Sequence, residues 1–179
     1  MIKRIFTALW VLVICFGPAA AYAEALTSQQ VTQFIASMPD LTALGEKHDD
    51  GKKRKIDPAR PLTSGLESMG RQSAAYADLA QLAPRHGFTG AEQLADVGDR
   101  VMSAYMIARD GLSLDEVKAG YQRGVDNVNK DPKLDDRQKK AILGGMNKSH
   151  QRYLAARQAA EKDLPAVQPH MAELGKLFE

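Results

Sequence analysis

The sequence predicts an all-α fold: a single-domain bundle of about seven helices around a buried central helix. Apolar residues recur every three to four positions in one segment after another, which is the spacing of a helix face. Helix-start signals, in which Ser, Thr or Asp is followed three residues later by Glu or Gln, recur along the chain. No alternating β-branched run exceeds about four positions, so no sheet is predicted.

The central helix is predicted at 89–111. Thr89 and Glu92 are spaced for a capping box, and Gly111 can adopt the left-handed conformation that closes a helix. One apolar face comprises Leu94, Val97, Val101, Tyr105 and Ala108. The opposite face becomes apolar after Val101, through Met102, Ala104, Met106 and Ile107. A helix that is apolar all round is expected to be buried.

Residues 1–23 are typical of a secretory signal peptide. Lys3 and Arg4 precede an apolar run at 5–16, and the A-x-A sequence at 21–23 predicts cleavage after Ala23. The alternative is a lipoprotein anchored through Cys15, but a lipobox requires a small residue where Ile14 stands. We therefore expect an exported, periplasmic protein without a lipid.

The mature chain, residues 24–179, has the size of one domain. It lacks the only cysteine and has a formal charge of zero, since Lys3 and Arg4 account for the +2 of the full chain. A neutral chain gives no global reason to expect nucleic acid or an anionic membrane as a partner. No second apolar segment has the length of a membrane span, and no cofactor is predicted.

The first mature helix begins with the capping box of Thr27 and Gln30, and Pro39 is expected to end or kink it before a short piece at 40–47. A charged, exposed loop follows at 48–61. The next helix is predicted at 62–83, with one face formed by Leu66, Met69, Ser73, Tyr76, Leu79 and Ala83.

Two capping boxes start the next helices, at Ser113 with Glu116 and at Asp135 with Gln138. The apolar stripe of the former helix is Val117, Tyr121, Val125 and Val128; that of the latter is Ile142, Met146, Ser149, Tyr153, Ala156 and Ala160. The pair Gly144-Gly145 predicts a bend or the close approach of another backbone, and Gly120 and Gly124 predict close helix packing. A last helix is predicted at 169–178.

The strongest candidate contact site is the cationic run Lys52, Lys53, Arg54 and Lys55, which could dock an anionic partner; the simpler interpretation is a solvated linker. The four histidines are not spaced as metal ligands, so His48 and His86 are expected in loops and His150 and His170 on helix surfaces. No nucleophile or phosphate-loop motif is present. We predict no catalytic residue and no metal site.

Three function classes remain. We favour a non-catalytic protein that binds another periplasmic or envelope protein as a chaperone, assembly factor or inhibitor, because methionines suit adaptable surfaces. The alternatives are a carrier of a small apolar ligand between helices and an enzyme whose site is not recognisable from sequence. Exposed apolar area favours the first, a closed apolar pocket the second, and a cleft of clustered ionisable groups the third.

The sequence shows two resemblances to known groups of proteins. The segments LTSQQVTQFIASMPDL, GFTGAEQLADVGDRVMSAYM and VQPHMAELGKLF resemble uncharacterised small secreted helical proteins of proteobacteria. The start LTSQQ at 26–30 is similar to the LTxxQ box of the Spy and CpxP periplasmic chaperones, and LDDRQ at 134–138 resembles a degenerate second copy. The second resemblance implies an all-helical chaperone.

Overall fold

A computed structural model describes residues 24–51 and 55–178, and the regular structure in those ranges is helical throughout. The helices are α1 Ser28–Lys47, α2 Pro61–Met69, α3 Ala74–Arg85, α4 Ala91–Asp110, α5 Leu114–Lys130, α6 Asp136–Ala160, α7 Leu164–Val167 and α8 Met171–Phe178. A single 3-10 turn, Gln168–His170, joins α7 to α8 without a break. The all-α class is confirmed, and α7 to α8 counted as one segment gives seven.

Helix α4 is the centre of the bundle, as predicted, because it packs against α1, α2, α3, α6, α7 and α8. Its buried side chains include Leu94, Val97, Val101, Ala104, Tyr105 and Ile107. The prediction of a helix that is apolar and buried all round is wrong at Met106, which is 45% exposed. No other described helix covers that side of the last turn of α4.

Three of the four predicted capping boxes are confirmed, at Thr27, Ser113 and Asp135. The box of Thr89 and Glu92 is wrong, and the N-cap of α4 is Gly90. The backbone N–H of Thr89 donates to Gln93 Oε1 at 2.6 Å. Glu92 is held instead by α3, where the hydroxyl of Tyr76 donates to its carboxylate at 2.7 Å. A tertiary contact therefore replaces the local cap.

Two helix boundaries differ from the prediction. Helix α1 runs through Pro39 without a separate piece at 40–47. Proline costs a helix about 3 kcal/mol, but Met38 and Leu41 on either side pack against the core and offset it. The helix predicted at 62–83 is two helices, because Gly70 has a positive φ of 78° and Ser73 caps a new helix by accepting from Tyr76 N–H.

The start of α2 is capped from another helix. The buried carboxylate of Asp99 on α4 accepts the backbone N–H groups of Leu62 and Thr63 at 2.8 and 2.9 Å. A carboxylate at this position satisfies orphan donors and complements the positive end of the helix. Beside it, a Cβ on Gly98 would lie 2.5 Å from the ring of Phe34, so the glycine permits α1, α2 and α4 to approach closely.

A buried ion pair closes the bundle. Asp163, which is 1% exposed, accepts from Arg100 Nε at 2.9 Å and Nη2 at 2.7 Å. The backbone N–H of Leu26 also donates to Asp163, at 2.8 Å. Arg100 Nη2 further donates to the carbonyl of Glu24 at 2.5 Å, and the hydrogen bonds to Asp163 raise the Arg100 pKa. Residues 24–26, α4 and the α6–α7 turn are thus held together.

The predicted stripe of α6 is rotated from the observed one. Ile142, Ser149 and Ala156 are exposed, whereas the more enclosed stripe is Leu143, Met146, His150, Tyr153, Arg157 and Ala160. The helix continues through Gly144 and Gly145, and no described atom lies within 4 Å of a Cβ built on either. The expected close approach of another backbone is therefore absent within the described chain.

Candidate functional site

The most distinctive surface is a helical hairpin that leaves the body of the bundle. We call α5 together with residues 136–150 of α6 the arm. Helix α5 is seventeen residues long and strongly amphipathic, yet it has no buried residue and packs substantially only against α6. Its apolar stripe is therefore covered from one side, where a core helix would be covered from several.

The two helices of the arm are joined by a narrow seam. A Cβ added to Gly124 would lie 2.7 Å from Met146 Cε, so this glycine admits the methionine side chain, as the predicted close packing requires. The next contact is a stack of Tyr121 on His150, with ring centroids 4.1 Å apart and planes 7° from parallel. Gly120, in contrast, meets only the side chain of Arg123 on its own helix.

The root of the arm, residues 151–160 of α6, contains buried polar atoms without hydrogen-bond partners. Tyr153 Oη and the Nε and Nη1 atoms of Arg157 are buried and make no hydrogen bond to any described residue. Both residues lie on the inner stripe of α6, where that helix passes from α5 to α4. Unpaired buried donors cost free energy, so these atoms lower the stability of the junction.

Exposed apolar side chains concentrate near the arm. Of the large hydrophobic residues in the described chain that are at least a third exposed, four lie on the arm or at the α4–α5 corner: Met106, Leu112, Leu114 and Ile142. The remaining two are Ile56 and Leu177. Single exposed apolar residues are ordinary, but Leu114 and Ile142 on the arm, with Met106 and Leu112 at the corner beside it, provide apolar area for a protein partner.

A separate apolar groove lies between α1, α2, α3 and α4. It has a volume of about 370 Å³ and is open on one side. Its lining includes Met38, Leu41, Leu44, Leu62, Leu66 and Met69, with Gly45 and Gly65 at its edges. The side chain of Ile56, from the charged loop, lies 3.8 Å from a Cβ built on Gly65.

One end of this groove is held by an ion-pair cluster. Lys47 Nζ and His48 Nε2 lie 2.6 and 2.8 Å from Asp78 Oδ2. The hydrogen bonds from Lys47 and then His48 lower the pKa of Asp78 below its usual value. The cluster ties the end of α1 to α3 and keeps the groove walls in place.

A larger cleft, of about 850 Å³, lies between the α2 start, α4 and α6 and is lined by charged side chains. Its ionisable groups are mostly engaged in the fold: Arg100 pairs with Asp163, Asp99 caps α2, and Arg60 pairs with Glu67 at 2.7 Å. No group of three or more His, Cys, Asp or Glu with metal-binding geometry occurs in residues 24–51 and 55–178. Sequence reasoning missed Asp99, Arg100 and Asp163.

Only one of the four cationic residues predicted as a contact site lies in the described part of the chain. Lys52, Lys53 and Arg54 lie outside the described residues, and Lys55 is exposed. The histidines make structural contacts: His48 and His86 cap helices and bind Asp78 and Asp40, while His170 Nε2 lies 2.8 Å from Ser28 Oγ. The predicted signal peptide at 1–23 is also outside the described ranges.

Comparison with family models, with curated proteins and with solved structures found no match to this chain. The resemblance to the LTxxQ chaperones stays a prediction that rests on the residues of the boxes. Within the described ranges, no helix has both the length and the apolar character needed to cross a bilayer.

Proposed function

We propose that this is an exported, non-catalytic protein that binds another protein of the periplasm through its arm, as a chaperone, assembly factor or inhibitor. The observation that carries the proposal is α5: an amphipathic helix of seventeen residues with no buried side chain. Two helices in contact along one seam bury little apolar surface, and helices this short gain most of their stability from packing. A partner laid along the arm would supply that packing.

The exposed apolar residues at the arm support the same proposal. Burying a leucine-sized side chain contributes about 1.5–3 kcal/mol relative to leaving it exposed. Leu112, Leu114 and Ile142 are 39–46% exposed, so covering them completely would contribute less than half of that amount per side chain. Together they would supply about a quarter to a half of the roughly 8 kcal/mol of a micromolar affinity.

The test is photo-crosslinking in cells from a single introduced side chain. A photoreactive residue at Asn127, exposed on α5, is expected to give a discrete adduct that mass spectrometry identifies as one protein. The matched control is Gln81, exposed on α3 away from the arm, which should give none. Adducts from both positions, or from neither, would contradict a role for the arm.

The apolar groove favours a second candidate, the carriage of a small apolar ligand. Its volume lies within the range of ligand pockets, and apolar side chains dominate its lining. Gly45 offers a way to fill it, since no described atom lies within 4 Å of a Cβ there. Gly45→Leu should abolish binding of a fluorescent apolar probe such as N-phenylnaphthylamine without lowering stability. If wild type binds no probe, this candidate fails.

A further inference from the structure

The outer face of α6 carries a line of basic side chains. Arg137, Lys140, Lys148 and Arg152 are all exposed. At about 100° per residue they fall within roughly 120° of one another, opposite the stripe that packs on α5 and α4. At about 1.5 Å per residue the line is roughly 22 Å long. We call it the basic face.

None of these four cations has a partner within the described chain. Like Arg85 on the body and the exposed cations of α5, they make no side-chain hydrogen bond or ion pair in the described chain, whereas Lys47, Arg60, Arg71 and Arg100 are paired with carboxylates. Helix α6 carries six basic residues and one acidic residue, while α5 beside it carries three of each. Since residues 24–179 are neutral in total, the positive charge on α6 is matched by net negative charge elsewhere.

We propose that the basic face is the docking surface for an acidic α-helix of the partner protein, an inference that rests on the proposed function of the arm. A partner helix with carboxylates along one side can place them opposite all four cations over the same length. Complementary charge of this kind sets which partner binds and in which register.

The residues between the cations favour a helix over a membrane. Ala141, Gly144, Gln151 and Ala155 lie on the basic face, so it offers no large apolar side chain to enter a bilayer. Gly144 stands near its middle, and no described atom lies within 4 Å of a Cβ built there. A partner helix can approach closely at this point.

The overall charge distribution favours a short partner over a polyanion. A nucleic acid or a lipid surface extends beyond α6 and would also meet the remainder of the chain, whose net charge is negative. Four cations on one line also give few phosphate contacts, and nucleic-acid affinity depends on their number. An acidic helix of similar length to the face meets the four cations, although Arg152 at its end also lines the cleft that contains Asp57 and Asp96.

The probe for the test is a synthetic helical peptide, rich in alanine, with four glutamates at the spacing of the four cations. A second peptide has glutamine at those positions. Fluorescence anisotropy with the mature chain should show binding of the glutamate peptide about tenfold tighter than of the glutamine peptide at low salt. The preference should disappear near 1 M salt, where the screening length is about 3 Å.

Two protein variants decide whether the basic face is responsible. Reversing it with Arg137→Glu, Lys140→Glu, Lys148→Glu and Arg152→Glu should remove the preference. The matched control reverses four exposed cations of α5 and its following turn, with Lys118→Glu, Arg123→Glu, Lys130→Glu and Lys133→Glu, and should keep most of it. Equal loss in both variants would mean that only net charge matters and would overturn the proposal.

A third variant guards against misfolding of the reversed chain. Gly144→Leu adds bulk in the middle of the basic face without changing charge, and it should weaken peptide binding while the protein stays fully helical by circular dichroism. Unchanged binding by this variant would contradict a closely packed helix. Tighter binding to phosphatidylglycerol vesicles or duplex DNA than to the glutamate peptide would assign the face to a different class of partner.

The outcome separates this inference from the proposed function. If the crosslink from Asn127 persists in the charge-reversed chain, the arm binds its partner without the basic face, and only this inference fails. If the peptide binds as expected but Asn127 yields no adduct in cells, the basic face stands as an acidic-helix site and the proposed periplasmic function fails.

Discussion

Asp163 shows how much of the bundle depends on one carboxylate. Its oxygens accept from Arg100 and from the backbone of Leu26, and the group is almost fully enclosed. Asp163→Asn leaves the Arg100 guanidinium without its counter-charge. We expect the free energy of unfolding to fall by about 3–5 kcal/mol, measured by urea denaturation.

The control for this prediction is the other carboxylate near the same guanidinium. Asp96 lies 3.8 Å from Arg100 and its side chain is 64% exposed. Because exposed pairs contribute little, Asp96→Asn should cost less than about 1 kcal/mol. Similar losses of unfolding free energy from both substitutions would show that burial does not set the strength of the ion pairs of Arg100.

Asp78 predicts a pH dependence of stability. Its pKa is lowered in the folded chain by Lys47 and His48, so the carboxylate stabilises the fold when it is ionised. That contribution is complete above the unfolded value of about 3.9 and is lost as pH falls through the lower folded pKa. The melting temperature of wild type should exceed that of Asp78→Asn at pH 5, and the two should converge as the pH falls below about 4. A gap that widens in acid would contradict this assignment.

The unpaired atoms at the arm root lead to a stabilising substitution. Arg157→Met keeps an unbranched, flexible side chain and removes two buried donors without partners. We expect the free energy of unfolding to rise by about 1–3 kcal/mol. Arg152→Met, at an exposed position one turn earlier, should change it by less than about 0.5 kcal/mol.

None of these residues stood out in the sequence, and the reason is physical. Leu26 and Asp163 are 137 positions apart, and the Asp99 carboxylate caps a helix whose start lies 36 and 37 positions earlier. A charged residue on a helix looks solvent-exposed until the fold places a donor against it. Sequence patterns report neighbours along the chain and carry no information on such distant partners.

At the scale of the helix, two glycines predict opposite effects of the same substitution. A Cβ at Gly98 would meet the buried ring of Phe34, so Gly98→Ala should destabilise the protein by about 1–3 kcal/mol despite the better helix propensity of alanine. At Gly144, an added Cβ would have no described atom within 4 Å, so Gly144→Ala should stabilise the protein by about 1 kcal/mol. Chemical denaturation measures both. Stabilisation by Gly98→Ala would mean that α1 and α2 do not pack as closely on α4.

Helix signals that act locally were read correctly from the sequence. The boxes of Ser113 with Glu116 and Asp135 with Gln138 form because their partners lie three residues apart on an exposed start. The box of Thr89 failed because Tyr76 and Arg71 hold Glu92. The stripe of α6 was misjudged because its inner face includes His150 and Arg157, which a search for apolar spacing passes over.

At the scale of the whole molecule, the fold class and the buried central helix could be predicted, because seven amphipathic segments leave few other arrangements. The arm could not, since α5 has the same periodicity as a core helix. Only the structure shows that its stripe meets one neighbour. Lys52, Lys53 and Arg54, the strongest candidate by charge in the sequence, stay a prediction.

The predicted signal peptide gives a prediction for the intact molecule. Cleavage after Ala23 predicts a mature chain that begins at Glu24 and carries no lipid, which intact-mass measurement of periplasmic protein would establish. A mass that includes Cys15 with acyl chains would contradict it. A melting curve of the mature protein should also be insensitive to reductant, because Cys15 is the only cysteine.

The contacts of Asp163 with Leu26 and Arg100 also bear on the order in which the bundle assembles during synthesis. Leu26 is made first and α4 follows, but the carboxylate that joins them is made 137 positions after Leu26 and 63 positions after Arg100. The bundle therefore cannot close until its last fifth is available, and contacts of such long range form slowly. The contacts between α5 and α6 join residues that are closer along the chain, so they are not delayed in this way. Because they bury little apolar surface, we expect the element that we assign to partner binding to become stable only with the body or with its partner.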